Sequence, residues 1–151
     1  TKSTTINVYP DGSDTTVRDS VKSTSTCARP DLLIKKESEA DTAYAINDTY
    51  QTTPSGNQIE PQTVNVNATA TYRAKVENDG PDARTYVLKA TESVETGWSI
   101  SYWVGATEIT SSITGAGYTT SSLGAGGSAI VKIEMTPGAS AVGSTTKTAM
   151  V

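Results

Sequence analysis

The sequence predicts an all-β sandwich formed by a single domain. Three features support this prediction: a length of 151 residues, several segments in which apolar and polar residues alternate, and turn residues (Gly, Pro, Asn and Asp) between those segments. Alternation with a period of two places successive side chains on opposite faces of a strand, so each segment is expected to bury one face. Short strands separated by turns are typical of antiparallel sandwiches.

The longest alternation covers residues 64–76, where every even position is apolar or small, and it predicts one strand with a bend or a bulge. It ends at Asn78-Asp79-Gly80-Pro81, a dense turn signal. A long polar connection covers residues 41–62 and suggests an insertion or a contact surface. No segment has a convincing helical pattern. We expect strands at residues 32–34, 64–76, 86–90, 98–104, 129–135 and 142–151.

Composition excludes several classes of function. The chain has no His, so it cannot form a Ser-His-Asp triad, an imidazole zinc site or a histidine proton shuttle. Its net charge of −4 argues against nucleic-acid binding. The sequence contains no run of about 18 apolar residues, so no membrane-spanning segment is predicted. No signal peptide is visible, so the chain is expected to be cytosolic, already processed, or a segment of a longer protein. We therefore expect no enzymatic activity and no cofactor.

Two groups of acidic side chains are candidate sites of chemistry. Asp11, Asp14 and Asp19 suggest calcium binding, but their spacing fits no EF-hand loop and is ordinary turn chemistry, so no metal site is predicted. The paired carboxylates of a glycosidase would require a cleft, which a small sandwich rarely forms. The acidic residues considered for that role are Glu92, Glu95 and Glu108.

Motifs in residues 30–151 occur in a fixed order. They are Pro-Asp-Leu-Leu-Ile-Lys at 30–35, Tyr-Arg-Ala-Lys-Val-Glu-Asn-Asp-Gly at 72–80, Gly-Trp-Ser-Ile at 97–100, Leu-Gly-Ala-Gly-Gly-Ser at 123–128 and Val-Lys-Ile-Glu-Met-Thr-Pro at 131–137. This series resembles bacterial Ig-like repeats of the CARDB-like and alpha-galactosidase-associated type, which occur in large surface or secreted proteins. The resemblance implies an immunoglobulin-like β-sandwich of about seven strands, used as a spacer, stalk or adhesive module without catalytic residues. Ala125-Gly126 departs from the usual Pro-Gly.

The resemblance also implies a division of the chain. Such repeats end with a long strand and a polar tail, whereas here a tail-like segment at residues 11–22 precedes the Pro-Asp-Leu motif. We therefore expect residues 1–29 to form an N-terminal extension that acts as a donated strand, and residues 30–151 to form the sandwich. When Val151 is joined to Thr1, Val151, Ile6 and Val8 share one alternation phase, which also contains Lys2.

The predicted function is structural. The chain is expected to be a subunit of an extracellular filament or surface stalk, which polymerises head to tail when its N-terminal strand completes the sandwich of another copy. The expected donor residues are Thr4, Ile6 and Val8, and the expected acceptor edge contains Val131, Ile133, Met135, Ala149 and Val151. The alternatives are a carbohydrate- or surface-binding accessory Ig-like module and a spacer repeat of a large adhesin.

Four further residues are candidates for contacts or modification. Cys27 is either an unreactive thiol or an intermolecular disulfide partner. Trp103 is out of phase with Trp98, Ile100 and Tyr102, so it should face away from the core and contact another subunit or a sugar. Asn47 and Asn67 lie in N-glycosylation sequons. Abundant Ser, Thr, Gly and Asn indicate an extracellular or cell-surface location, where glycans are candidate partners.

Overall fold

The computed structural model describes residues 2–8, 19–25, 30–44, 48 and 50–151, and these residues form a mostly β protein. The longer strands are β1 (Lys2–Val8), β2 (Asp19–Ser25), β3 (Pro30–Lys36), β4 (Ala70–Asn78), β7 (Trp98–Val104) and β10 (Ser128–Pro137). The two-residue strands are β5 (Val87–Leu88), β6 (Thr91–Glu92), β8 (Thr107–Glu108), β9 (Tyr118–Thr119) and β11 (Ala149–Met150). A short helix, α1 (Thr110–Thr114), precedes β9, and 3-10 turns cover Asp41–Ala43 and Gly56–Gln58. The predicted all-β class is confirmed at this level.

Five strands form the main sheet, in the order β3-β4-β10-β7-β8, and every neighbouring pair is antiparallel. Residues 128–135 of β10 lie opposite residues 70–77 of β4, and residues 132–137 lie opposite residues 98–103 of β7. Within the described residues, the remaining strands form the two-stranded sheets β1-β2, β5-β9 and β6-β11. The β1-β2 pair falls in the predicted extension, and the main sheet falls in residues 30–151.

One face of the main sheet carries the hydrophobic core. Alternate residues of β4, from Ala70 to Val76, are buried, as the predicted alternation requires. Short segments from residues 86–123 cover this face. Buried residues from β7, β10 and these segments complete the core: Tyr102, Val131, Ile133, Met135, Leu88, Ala90, Ile109, Ile113 and Leu123. Each fully buried aliphatic or aromatic side chain contributes about 1.5–3 kcal/mol, so this face is the main source of stability.

The strand predicted over residues 64–76 begins later than its alternation indicates. Asn67 has a φ of 63°, and its N–H donates to the carbonyl of Pro137, so the chain turns there before β4 begins at Ala70. Val66 is consequently 51% exposed, although it shares the apolar phase. The left-handed backbone at Asn67 is the physical reason for the bend that the sequence prediction allowed.

Helix α1 was missed because its sequence, Thr-Ser-Ser-Ile-Thr, contains weak helix formers. Its Ile113 is fully buried in the core, and the N–H of Ile113 donates to the carbonyl of Ile109 at 2.9 Å. Tertiary burial of one side chain therefore decides the local structure. The predicted last strand over residues 142–151 is likewise reduced to Ala149–Met150.

The buried amide of Asn78 connects the end of β4 to two turns. Its Nδ2 donates to the carbonyls of Asp82 and Leu123, both at 2.8 Å, and lies 3.1 Å from the carbonyl oxygen of Gly124. Its side chain is fully buried. The amide thus supplies the donors that these buried carbonyl groups require.

The remaining groups of Asn78 are also paired. Its Oδ1 accepts from the N–H of Gly80 at 3.1 Å and from the hydroxyl of Tyr86 at 2.7 Å. Its backbone N–H donates to Gly127 at 2.9 Å, and its carbonyl accepts from Gly126 at 2.8 Å. The turn before β10 is therefore fixed against the end of β4.

We expect Asn78→Asp to lower the free energy of unfolding by at least about 3 kcal/mol. The new carboxylate oxygen would face three carbonyl oxygens in a buried site, with no proton to donate. Urea unfolding followed by circular dichroism measures the loss. The exposed Asn65→Asp introduces the same charge and is the control, with a change within about 0.5 kcal/mol. Equal stability of the two variants would contradict the role assigned to Asn78.

Candidate functional site

The N-terminal hairpin, residues 2–8 and 19–25, is a two-stranded antiparallel sheet. Its register runs from Lys2↔Ser25 to Val8↔Asp19, and neither strand pairs with any other strand of the described residues. All three predicted donor residues, Thr4, Ile6 and Val8, lie at alternate positions on β1. An isolated two-stranded hairpin is at best marginally stable in water, so this hairpin is a candidate for contact with another surface.

Strand β10 is not the predicted acceptor edge. It lies between β4 and β7 and pairs with both, so no further strand can be added beside it. Val131, Ile133 and Met135 are buried core residues on this central strand. Their alternation reports which face is buried, and it carries no information on how many neighbours the strand has. The acceptor prediction is corrected accordingly, and only its β11 part remains.

Strand β11 lies at an edge. It pairs with β6 alone among the described strands, with Ala149 opposite Glu92. The carbonyl of Thr148 accepts from the N–H of Ser93 at 2.9 Å, so the ladder directs the N–H and C=O of Ala149 away from β6. Ala149 and Val151 are partly buried against the core. These two predicted acceptor residues therefore do lie at a sheet edge.

The β3 edge of the main sheet is covered by residues 37–44, 48 and 50–62, which include the described part of the predicted long polar connection. The backbone N–H of Lys36 at the end of β3 donates to Oε2 of Glu39 at 2.8 Å. Its ammonium group contacts Glu39 at 3.3 Å and Glu60 at 3.2 Å, and the turn Gly56–Gln58 packs against β3. We call residues 37–44, 48 and 50–62 the edge cover, because covering an edge strand blocks pairing with other chains.

An aromatic contact holds the edge cover to the outer face of the sheet. The ammonium groups of Lys35 and Lys75 lie 5.5 Å and 5.0 Å from the ring centre of Tyr44. Such cation–π contacts are attractive and stronger when the cation is desolvated. Lys35 is only 4% exposed, and its ammonium also donates to the carbonyl of Glu39. Leu33 is buried on the same face. The edge cover therefore buries the outer face of the sheet at β3, while the opposite face of the sheet packs on the hydrophobic core.

A buried carboxylate lies beneath the edge cover at the start of β3. Asp31 is 1% exposed; its Oδ2 accepts from the N–H of Asp48 at 2.8 Å, and its Oδ1 has no partner among the described residues. The Tyr50 hydroxyl lies 3.1 Å from Oδ1 of Asp48 and 2.8 Å from Oδ2 of Asp79. Burial raises the pKa of Asp31, the Asp48 N–H opposes this shift, and the charge of Asp79 adds to it. No sequence pattern predicted this site.

The two tryptophans occupy opposite faces of β7, as their phases predict. Trp98 is partly buried, and its Nε1 donates to Oγ1 of Thr145 at 3.1 Å. Trp103 lies opposite Lys132 on the outer face, where the Lys132 ammonium is 5.1 Å from the indole ring centre. Nε1 of Trp103 donates to Ser101 at 2.9 Å. The Trp103 ring is therefore engaged by its own sheet.

A half-open cavity of about 290 Å³ lies between the residues before β4 and the loop after β10. Apolar residues including Val64, Tyr72, Trp98 and Met135 line it, together with polar residues such as Lys147. The Lys147 ammonium is 3.5 Å from Glu92 and donates to the carbonyl of Ser93, so its charge is paired. The alternation pattern could not show this cavity, because its lining comes from distant segments.

Several predicted residues lie outside the described ranges, namely Asp11, Asp14, Cys27 and Asn47. The other sequon residue, Asn67, is exposed in the turn before β4. Among the described residues, no group of three or more His, Cys, Asp or Glu side chains is arranged to hold a metal ion. The described part of the chain also has no helix of sufficient length and apolarity to cross a membrane.

Comparison of the chain with family models, with curated proteins and with solved structures found no match. The resemblance to Ig-like repeats therefore remains a prediction from sequence motifs. The function has to be argued from the strand edges, the hairpin and the buried groups described above.

We expect the contribution of Asp31 to stability to depend on pH. Because burial raises its folded pKa above the unfolded value, the folded state binds the proton first as the pH falls. The free energy of unfolding of the wild type should therefore increase relative to that of Asp31→Asn as the pH is lowered from about 7 to about 4. Urea unfolding of both proteins across this range measures the difference.

The control for this experiment is Asp82→Asn, which removes an exposed carboxylate. Its unfolding is measured over the same pH range, so that the general effect of pH on urea unfolding can be subtracted. A wild-type minus Asp31→Asn difference that is constant with pH would show that Asp31 has the same pKa in the folded and unfolded states.

Proposed function

We propose that this chain is a structural building block of an extracellular filament or surface stalk, in which copies join head to tail by β-strand addition. The N-terminal hairpin of one copy adds to a strand edge of the next. Backbone hydrogen bonds supply the affinity, and alternate side chains determine the register. Because donor and acceptor are different surfaces, the contact is heterologous and continues from unit to unit unless a ring closes.

The observation that carries the proposal is the isolation of the hairpin β1-β2. Its two strands pair with each other over seven positions and with no other described strand. Val21, opposite Ile6, is 63% exposed. A two-stranded sheet with an exposed apolar position gains stability when it joins a larger sheet and desolvates its apolar side chains.

The strand edges of the body support the same function. The edge cover occupies the β3 side of the main sheet, whereas β11 has a strand on one side alone among the described residues. An uncovered edge is a template for pairing with another chain. The body thus offers an acceptor, and the hairpin offers a donor.

The carbohydrate-binding alternative has weaker support. A sugar platform requires an aromatic face that is free to stack, and the Lys132 ammonium lies over the Trp103 ring at 5.1 Å. The Trp103 Nε1 is also paired with Ser101. Sugar stacking would have to displace the Lys132 contact, so we favour the structural function.

We expect the purified chain to form a series of oligomers that grows with concentration, with masses that are multiples of 15.7 kDa. Ile6→Asp should leave the 15.7 kDa species, because strand addition would bury an unpaired charge. Size-exclusion chromatography with light scattering measures both outcomes.

The matched control is Thr5→Asp, which introduces the same charge at the adjacent position of β1. Thr5 is exposed and belongs to the opposite alternation phase, so this variant should still assemble. Circular dichroism should show that both variants keep the wild-type strand content. A wild type that remains at 15.7 kDa at every concentration would contradict self-assembly of separate chains.

A further inference from the structure

The half-open cavity of about 290 Å³ lies at one end of the hydrophobic core, between the segment before β4 and the segment after β10. The apolar part of its lining includes Ala70, Tyr72, Trp98 and Met135. Ala70, Tyr72 and Met135 are core residues, each no more than 7% exposed. The deep part of the cavity is therefore a gap in the core itself.

The remaining lining carries hydroxyl and amide groups. These groups belong to Gln62, Thr63, Ser144, Thr145 and Thr146. The hydroxyl of Thr145 is engaged, since it accepts from Nε1 of Trp98 and donates to the carbonyl of Val142 at 2.7 Å. The other four side chains are exposed and make no hydrogen bond to a described residue. The cavity thus offers several donors and acceptors that the protein does not use.

Backbone contacts hold both walls of the cavity in place. The N–H of Asn67 donates to the carbonyl of Pro137 at 2.6 Å and joins the segment before β4 to the end of β10. The N–H of Gly138 donates to the carbonyl of Gly97 at 2.7 Å. Gly97 has a φ of 82°, and an added Cβ would overlap the backbone of Ala141, so this approach requires glycine. The cavity is therefore preformed, as small-molecule sites usually are.

The cavity carries no unpaired charge. Lys147 is the charged residue of its described lining. The Lys147 ammonium lies 3.5 Å from Glu92 and also donates to the carbonyl of Ser93. A cationic ligand would be repelled by this ammonium, and an anionic ligand would be repelled by the adjacent Glu92 carboxylate. The charges therefore favour a neutral ligand.

A lining with an apolar part and a hydroxylated part selects an amphipathic ligand. An aliphatic molecule would remove the polar side chains from water without giving them hydrogen bonds, which is costly. A pyranose ring has an apolar C–H face that can pack on aromatic side chains, and its hydroxyl groups both donate and accept. The cavity volume lies near the lower limit of about 300 Å³ for ligand pockets and suits a single ring.

We propose that this cavity binds one neutral pyranose ring, whose C–H face packs against Trp98 and Tyr72. The hydroxyl groups of the sugar pair with Thr63, Ser144 and Thr146. This site gives the chain an attachment function in addition to its proposed structural function, and it does not depend on self-assembly.

The fluorescence of Trp98 reports binding. The chain has two tryptophans, and Trp103 lies on the outer face of β7 with Lys132 over its ring. The full chain with Trp103→Phe is titrated with the methyl glycosides of glucose, galactose and mannose. At least one glycoside should change the Trp98 emission saturably, with a Kd of about 1–10 mM. No saturable change with any of them up to about 100 mM would overturn the proposal.

Two further probes test the chemistry of the ligand. The methyl uronide of the binding sugar has the same ring with a carboxylate at C6, and cyclohexanol has a six-membered ring with a single hydroxyl. Each should bind at least about tenfold more weakly than the neutral glycoside. Equal binding of the uronide would contradict selection of a neutral ligand. Equal binding of cyclohexanol would show that the cavity recognises apolar surface alone.

The variants Thr63→Val and Thr146→Val remove one hydroxyl each from the two walls and preserve side-chain shape. Each should raise the Kd about three- to tenfold. Thr148→Val is the matched control, because Thr148 is exposed on the same segment as Thr146 but does not line the cavity. Its Kd should stay within about twofold of the parent value. Equal Kd values for the three variants would overturn the role of the cavity.

A disaccharide ending in the same sugar separates two sources of the ring. A disaccharide that binds as tightly as the methyl glycoside identifies the end of a glycan as the ligand. A disaccharide that does not bind identifies a free monosaccharide. Both results support the site. A chain that stays at 15.7 kDa but binds the glycoside would contradict the proposed assembly and leave the sugar site standing.

Discussion

The buried amide of Asn78 fixes the end of β4 against the turn that leads into β10, and the main sheet depends on that junction. β10 is the central strand, so the register of β4 against β10 also determines where β7 lies. The amide joins the carbonyl groups of Asp82 and Leu123 at 2.8 Å, and Tyr86 donates to it from the segment before β5. One side chain thereby couples the main sheet to the layer that covers its core.

The central strands could be predicted from sequence because their alternation follows from burial of one face. β4, β7 and β10 all show it, and the outer position of Trp103 follows from the same rule. Other elements depend on contacts between distant residues, which a local pattern does not record. Ile113 makes a short helix out of poor helix formers because it fills the core, and Asn67 ends an alternation by adopting a left-handed backbone.

The candidate site was predictable only in part. The phase of Thr4, Ile6 and Val8 identified β1 as a strand, and the structure pairs that strand with β2. Placing the acceptor on β10 was wrong because alternation distinguishes a buried face from an exposed one but does not distinguish a central strand from an edge strand. The burial of Asp31 and the cation–π contacts of Tyr44 were also beyond prediction, because they arise where the edge cover folds back onto β3.

The edge cover has a consequence for the shape of any polymer built from this chain. A unit with two open sheet edges can accept two neighbours, and repeated pairing at both edges gives branched or sheet-like aggregates. Here the edge cover closes the β3 side through Lys36, Glu39 and Glu60, and the proposed assembly uses the β11 edge as its acceptor. With one donor and one acceptor, each unit has a valence of two. Growth is then confined to a single unbranched line, and all units point the same way along it.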